Sequence, residues 1–196
     1  MSRKSTKRDA ILDAALKLFV EQGFEATSTA SVARAAEVAT GTLFHHFANK
    51  QELLDQLYLQ VKEDMASILA QSVQGAAPPS SAVEYRALVE SVWKQSIETA
   101  LANPLKTRFF YRFFKGHEVS DSINQQAIDQ AIGLIGELLQ LGQGHLTHAP
   151  LPLMAHMSHS QFLAATEYFM ANPELWHQAK HRDAAFQLMW KGISVS

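Results

Sequence analysis

The sequence TSTASVARAAEVATGTLFHHFANK, residues 27–50, decides the fold of the first part of the chain. Its small residues at 29–36 predict a short helix, residues 37–39 predict a turn, and a second short helix begins near Thr40. Two short helices joined by a tight turn form a helix-turn-helix, which places a recognition helix in the major groove of DNA. The stretch therefore predicts a DNA-reading unit, although a small helical domain can also contain such a turn without binding DNA.

The second helix is expected to present its polar side chains outward. Leu43 and Phe47 are four residues apart, so both face inward and leave hydroxyls and imidazoles pointing to solvent. Gly41 has no β-carbon, which lets another polymer approach the backbone, and a threonine offers a hydroxyl and a methyl group to base edges. The candidate DNA-binding residues are Ser28, Thr29, Thr40, Gly41, Thr42, Phe44, His45, His46 and Lys50.

The order and spacing of residues in this region resemble the N-terminal domain of the TetR family of transcriptional repressors. The matching residues are Ile11-Leu12, Ala14-Ala15, Leu18-Phe19, Gly23-Phe24, Ala26-Thr27-Ser28, Val32-Ala33, Ala35-Ala36, Val38, Gly41-Thr42-Leu43-Phe44, His46-Phe47, Asn49-Lys50 and Leu53-Leu54. The resemblance implies an all-α fold. It places a three-helix DNA-binding domain with the helix-turn-helix at residues 1–50 and a helical effector-binding and dimerisation domain at residues 51–196.

Three residues depart from the family pattern. Glu37 stands where the family usually has glycine, in a turn that suits a left-handed backbone, and we expect about 1 kcal/mol of strain there. Ala39 replaces a capping serine, so Thr40 is predicted to cap the recognition helix with its own hydroxyl. Phe44 replaces a tyrosine and lacks one hydroxyl for a phosphate contact.

The composition is that of a globular protein. Hydrophobic residues make up 47% of the chain and charged residues 18%, and there is no cysteine for a disulfide or a thiolate metal site. No apolar run reaches the length of a membrane span, and the basic start lacks the apolar stretch of a signal peptide. We expect a cytoplasmic protein that has no membrane partner and needs no cofactor.

The charge is unevenly distributed. Residues 1–50 carry seven basic against five acidic side chains, whereas residues 51–196 carry ten against fourteen. A basic N-terminal part on an acidic body is expected when one domain meets phosphate. A basic arm at the start is expected to add backbone or minor-groove contacts; its residues are Arg3, Lys4, Lys7 and Arg8.

Periodicity and caps predict helices throughout the rest of the chain. Thr6 and Asp9 are spaced to cap the first helix, and Gly23 is placed to end it. Asn49 and Glu52 are spaced to start a long fourth helix, residues 50–74, which connects the two domains. After a loop rich in proline, glycine and serine at 75–81, the predicted helices are residues 82–102, 104–115, 121–141, 153–171 and 173–192.

Aromatic residues are dense on the helix at 104–115. A helix that is apolar around much of its girth is usually simply buried. The alternative is a cavity for an apolar or aromatic effector. Its candidate lining residues are Trp93, Phe109, Phe110, Tyr111, Phe113 and Phe114. Candidate polar anchors are Tyr111, Arg108, Arg112 and Gln95.

The last two predicted helices, at about residues 153–192, are apolar enough to require a further partner. In the family that the chain resembles, the last two helices of each subunit form a four-helix dimer interface, and a two-fold dimer suits a palindromic operator. Histidines recur in this region. His177 and His181 are four apart on a predicted helix, a spacing able to bind a metal, but nothing nearby completes a site, and we predict none.

The sequence therefore predicts a homodimeric repressor that binds a palindromic operator in duplex DNA and is released by an apolar or aromatic ligand. A constitutive DNA-binding regulator whose aromatic cluster is only core is the alternative, and an activator is a further one. An enzyme is not expected, because no nucleophile with a base, phosphate loop or paired acids stands at suitable local spacing.

Overall fold

The computed structural model describes residues 6–195, and the elements within them are helical. The α-helices are α1 Lys7–Gln22, α2 Thr29–Ala35, α3 Thr40–His46, α4 Lys50–Val73, α5 Ala82–Ala102, α6 Pro104–Lys115, α7 Asp121–Leu141, α8 Leu151–Ala171, α9 Pro173–Trp176 and α10 Ala179–Ile193. A short 3₁₀ turn lies between α7 and α8. The all-α fold class is confirmed. No helix in the described part of the chain combines the length and apolarity that crossing a bilayer requires.

The chain divides into two compact units. Within the described residues, the first comprises residues 6–63 and 105–125, and the second comprises residues 64–104 and 126–195. The first unit thus combines the helix-turn-helix with most of α4, with α6 and with the start of α7. The functional division after residue 50 stays a prediction.

The predicted ends of α1 and the predicted start of α4 are confirmed. Thr6 and Asp9 form a reciprocal capping box, with N···O distances of 3.0 and 3.2 Å. Gly23 ends α1 at a φ of +87°, a conformation that favours glycine. The side-chain oxygen of Asn49 accepts from the Glu52 amide at 2.8 Å and caps α4.

In the first unit, α6 packs its rings against α1 and α4. The ring centroids of Phe113 and Phe19 are 6.1 Å apart, and those of Phe110 and Tyr58 are 6.0 Å apart. All four side chains are buried. Burying a large apolar side chain contributes about 1.5–3 kcal/mol, so α6 is a structural part of the unit that holds the helix-turn-helix.

In the second unit, aromatic rings from four helices form the centre of the core. Trp93 of α5 lies 6.0 Å from Trp176 of α9 and 5.7 Å from Phe186 of α10, measured between ring centroids. Phe169 of α8 meets Trp176 edge-on at 5.0 Å. These contacts hold the last three helices together around α5.

Two predicted helix boundaries were wrong. Helix α8 begins at Leu151, because Pro152 fits in its first turn, where no helical hydrogen bond from its nitrogen is needed. The predicted helix at 173–192 is broken into α9 and α10, with His177 between them. The break follows Trp176, whose buried ring fixes the direction of the chain.

Candidate nucleic-acid interface

Helix α2 begins with a reciprocal serine cap. The Ser31 amide donates to the Ser28 hydroxyl oxygen at 3.0 Å, and the Ser28 amide donates to the Ser31 hydroxyl oxygen at 3.2 Å. Ser28 is therefore the N-cap residue of α2. Ser28 is exposed and Thr29 is half-buried, so both remain at or near the surface beside the helix start.

The turn between α2 and α3 has the predicted left-handed residue. Glu37 adopts a φ of +55°. In the described part of the chain, every other non-glycine residue has a negative φ. The Val38 amide closes the turn by donating to the Ala33 carbonyl oxygen at 3.0 Å. A residue with a β-carbon in this conformation costs roughly 1 kcal/mol or more. The turn therefore forms despite backbone strain at Glu37.

Helix α3 is anchored by two completely buried apolar side chains. Leu43 and Phe47 are each 0% exposed, whereas Phe44 is 47% exposed. Thr40, Gly41 and His45 are exposed, and Thr42 and His46 are half-buried. The structure therefore brings six of the nine candidate DNA-binding residues together on one short helix, with the inward and outward faces as predicted.

The predicted cap by Thr40 was wrong. Ala39 occupies the N-cap position and makes no side-chain cap, while its carbonyl oxygen accepts from the Thr42 amide at 2.8 Å. Helix α3 starts at Thr40, whose side chain forms no hydrogen bond within residues 6–195. Its hydroxyl thus stays available for a contact outside the protein.

Gly41 leaves open space at the surface of α3. A β-carbon built on Gly41 has no atom of the protein within 4 Å. The glycine is not required by packing inside this chain. The space in front of it can admit the backbone or a base edge of another polymer.

Lys50 is partly committed to the protein itself. Its Nζ donates to the Phe24 carbonyl oxygen at 2.8 Å and lies 4.2 Å from the centroid of the Phe24 ring. The lysine thereby ties the start of α4 to the segment between α1 and α2. A phosphate contact by Lys50 would use the remaining donors of the same ammonium.

The basic arm is only partly described. Arg8 donates to the Gln56 side-chain oxygen at 2.7 Å and lies 5.5 Å from the centroid of the Phe47 ring. Lys7 is exposed. Arg3 and Lys4 lie outside the described residues. Arg8 is therefore a scaffold contact as well as a surface charge.

The candidate effector residues fall into both compact units. Phe109, Phe110 and Phe113 belong to the core of the first unit and are at most 1% exposed, and Tyr111 and Phe114 are half-buried beside them. Trp93 belongs to the second unit, and its indole nitrogen is buried without a hydrogen-bond partner in the described residues. Their assignment to an effector site stays a prediction.

Two of the four predicted polar anchors make hydrogen bonds within the chain. The Arg112 guanidinium donates to the Val20 carbonyl oxygen at 3.4 Å, and the Gln95 amide donates to the Ser91 hydroxyl oxygen at 2.7 Å. Arg108 is exposed. The histidine pair is also rearranged, because His177 lies outside the helix that carries His181.

Sequence reasoning missed a hydrogen-bonded connection between α4 and the loop before α7. Asp55 accepts from the Ser120 amide at 3.0 Å and from the Ser120 hydroxyl at 2.5 Å. The Gln51 side chain donates to the Glu118 carbonyl oxygen at 2.7 Å. Ser120 directly before a helix is a capping signal, but no sequence pattern pairs it with Asp55.

Sequence reasoning also missed two buried titratable groups on α4. The Tyr58 hydroxyl donates to the Asn124 side-chain oxygen at 3.0 Å, and burial raises the pKa of that phenol well above its usual value. Lys62, one turn later, is 8% exposed, and burial lowers the pKa of its ammonium to about 8. Lysine is rarely buried without a partner.

Comparison with known proteins gives the chain its family. The sequence model described as "Bacterial regulatory proteins, tetR family" matches residues 11–57. A solved structure of a putative TetR family transcription regulator from Shewanella sp. PV-4 is 44% identical, with a TM-score of 0.82, over 97% of this chain and 100% of that one.

Two curated relatives match more locally. The uncharacterized HTH-type transcriptional regulator YvkB of Bacillus subtilis is 43% identical over 70 residues, which is 36% of each chain. The HTH-type transcriptional repressor KstR2 of Rhodococcus jostii is 32% identical over 97 residues, which is 50% of this chain and 45% of that protein. These alignments span less than half of either curated relative, whereas the Shewanella structure is matched over its full length. The chain belongs to the TetR family of transcriptional regulators.

Proposed function

We propose that the protein is a homodimeric transcriptional repressor that binds a palindromic operator through α3 and releases it when a small effector binds. The observation that carries the proposal is the exposed face of α3. Two side chains on its inner face are completely buried, while its hydroxyls, imidazole and glycine surface are left toward solvent. A face so arranged fits the base edges of a major groove.

The proposed contacts divide into two kinds. Base edges would be read by the outer face of α3, whose residues are Thr40, Gly41, Thr42, Phe44, His45 and His46. Phosphates would be held by the groups at the starts of α2 and α4, which are Ser28, Thr29 and Lys50. Phosphate contacts fix position and base contacts give specificity.

Repression is supported by the curated relative from Rhodococcus jostii, which is named a transcriptional repressor. A repressor needs only to occupy its operator and exclude other proteins. A regulator that binds a chromosomal operator acts in the cytoplasm. An activator would need an additional surface for the transcription machinery, and no observation favours one.

The dimer is proposed to form through α8 and α10. Large apolar side chains on these helices remain exposed in the single chain. They are Leu153 at 54%, Met157 at 51% and Tyr168 at 43% on α8, and Leu188 at 73% on α10. A second copy that covers this surface would bury it and supply the second recognition helix that a palindrome requires.

Effector control is proposed to act through the contacts of α6 and α4 inside the first unit. The α6 rings pack on Phe19 of α1 and on Tyr58 of α4. Asp55 and Gln51 fasten the same part of α4 to the loop before α7. A ligand that shifts α6 or α7 would therefore move α4, whose first residue anchors the base of the helix-turn-helix.

A constitutive regulator without an effector is the second candidate. It is favoured by the burial of Phe109, Phe110 and Phe113, which are core residues of the first unit. Under that function, no small molecule changes the affinity for the operator.

The test is selection of bound fragments from random duplex DNA, followed by affinity measurements over a range of salt concentrations. Thr42→Ala should cost about 1–3 kcal/mol at particular base pairs. Lys50→Ala should weaken all duplexes and reduce the log-log salt slope by about one. Failure to enrich any duplex, or a uniform loss for Thr42→Ala, would contradict the assignment of α3 to base reading. A subsequent screen for molecules that release the duplex separates the two candidate functions.

A further inference from the structure

Lys62 is a buried cation with no partner of opposite charge. The residue lies on α4 and is 8% exposed. Within residues 6–195, its Nζ forms no hydrogen bond and no ion pair, and it lies 4.6 Å from the centroid of the Phe110 ring. Among the described residues, the ring face is therefore the attractive contact that this ammonium makes.

A ring face does not compensate for the loss of water around an ammonium. Even a desolvated cation–π contact is weaker than the effective cost of burying a charged group. Burial lowers the pKa of Lys62 to about 8, so most of the side chains remain protonated at neutral pH. The Lys62 ammonium thus keeps its charge, and its contacts within the described residues do not compensate for the loss of water around it.

The ring that Lys62 contacts packs against further aromatic rings. Tyr58 lies one helical turn earlier, with its hydroxyl donating to Asn124. Phe110 stacks on Tyr58 at 6.0 Å and on Phe114 at 5.2 Å, measured between ring centroids. These groups supply aromatic surface and two polar atoms, the Tyr58 hydroxyl and the Asn124 side-chain oxygen, that carry no charge at neutral pH.

We propose that Lys62 binds the acidic group of the effector, and that the effector is a monoanionic organic acid with an apolar body. This inference deepens the proposed function and rests on it for the effector's role. One ammonium neutralises one negative charge. A second charge against the surrounding rings would be left uncompensated, so a monocarboxylate fits better than a phosphate ester that carries two charges.

The experiment compares acids with their uncharged amides. Decanoate and 4-phenylbutyrate, with decanamide and 4-phenylbutyramide, are titrated calorimetrically into the full-length protein at pH 7. The acids are expected to bind at least about tenfold more tightly than the matching amides, since a charge-assisted contact in an apolar site is worth 1.4 kcal/mol or more. Lys62→Met should reduce the ratio to within about twofold, while Lys17→Met, at an exposed position on α1, should leave it unchanged.

A second measurement uses the wild-type protein, so its result does not depend on correct folding of Lys62→Met. In the wild-type protein, the acid-to-amide preference should fall by about tenfold between pH 7 and pH 9.5, as the ammonium loses its proton. Equal affinities for acids and amides, absence of binding by both acids, or a preference that persists at pH 9.5 or in Lys62→Met would overturn the inference. Binding of selected duplex is measured separately without these probes, so failure of the inference and failure of the proposed DNA-binding function remain distinguishable.

Discussion

Helices α3 and α6 carry aromatic rings within the same compact unit and use them in opposite ways. Phe44 of α3 is 47% exposed, whereas Phe110 of α6 is 0% exposed. Helix α3 buries Leu43 and its C-cap residue Phe47 and leaves its polar side chains outside, while α6 buries three phenylalanines. The contrast separates an exposed ring beside hydroxyls and imidazoles, the face proposed to read DNA, from rings that are packed inside the first unit.

The sharpest test of this contrast is a matched pair of ring deletions. Phe110→Ala should lower the free energy of unfolding by about 3–5 kcal/mol, because it leaves a cavity between α6 and α4. Phe44→Ala should change it by less than about 0.5 kcal/mol and should instead weaken binding of a selected duplex. Chemical denaturation and fluorescence anisotropy measure the two quantities. Similar losses of stability in both variants would remove the distinction.

The buried charge on α4 gives the next effect, in the dependence of stability on pH. Burial lowers the pKa of Lys62 from 10.5 to about 8, so between these values the unfolded chain binds more protons than the folded chain. Stability should therefore rise as the pH increases above about 8. The full contribution is on the order of 3 kcal/mol.

The measurement is urea denaturation of wild type and Lys62→Met from pH 7 to pH 9.5. The upper limit avoids ionisation of tyrosines, since the raised pKa of buried Tyr58 acts in the opposite direction at higher pH. The difference between the two proteins isolates Lys62. A difference that stays constant over this range would show that the ammonium is not desolvated.

Two glycines offer a smaller but cleaner comparison. Gly41 on α3 and Gly133 on α7 both have open space where a β-carbon would lie. Alanine at either position should raise stability by about 0.5–1 kcal/mol, because glycine is unfavourable inside a helix. Gly41→Ala alone should weaken operator binding, by about 1–3 kcal/mol if the added methyl group displaces a base contact. Equal operator affinities in the two variants would argue against close approach of DNA to Gly41.

The smallest effect concerns the turn that leads into α3. Glu37→Gly should raise the free energy of unfolding by about 1 kcal/mol, since Glu37 has a φ of +55°. The greater chain entropy of glycine reduces the gain. Thermal unfolding measures it, with Glu25→Gly as a control at an exposed residue outside the helices. An unchanged or lowered melting temperature in Glu37→Gly would show that the turn is not strained.

Local patterns predicted the elements and the exposed face of α3. The four-residue spacing of Leu43 and Phe47 was enough to predict the buried side of α3, because residues four apart lie on the same side of a helix. The predicted bounds of α5, α6 and α7 match those of the structure. These signals act within a few residues, so a sequence contains them in full.

Such local patterns do not predict which distant residues pack against one another in the fold. The sequence predicted the helix that carries Phe113 but not its packing on Phe19, which depends on how distant segments meet. Lys62 was passed over because lysine on an amphipathic helix is usually solvated. The break at His177 carries no glycine or proline, and the buried ring of Trp176 explains it only once the fold is known.

The most direct test of the account is photocrosslinking from α3 to a selected duplex. Phe44 is replaced by p-benzoylphenylalanine, and Val83, which is 80% exposed on α5, receives the same residue as a control. The account predicts that position 44 crosslinks to bases in both half-sites of the palindrome and that position 83 does not crosslink. Absence of base crosslinks from position 44, or equal yields from both positions, would contradict the claim that α3 reads DNA.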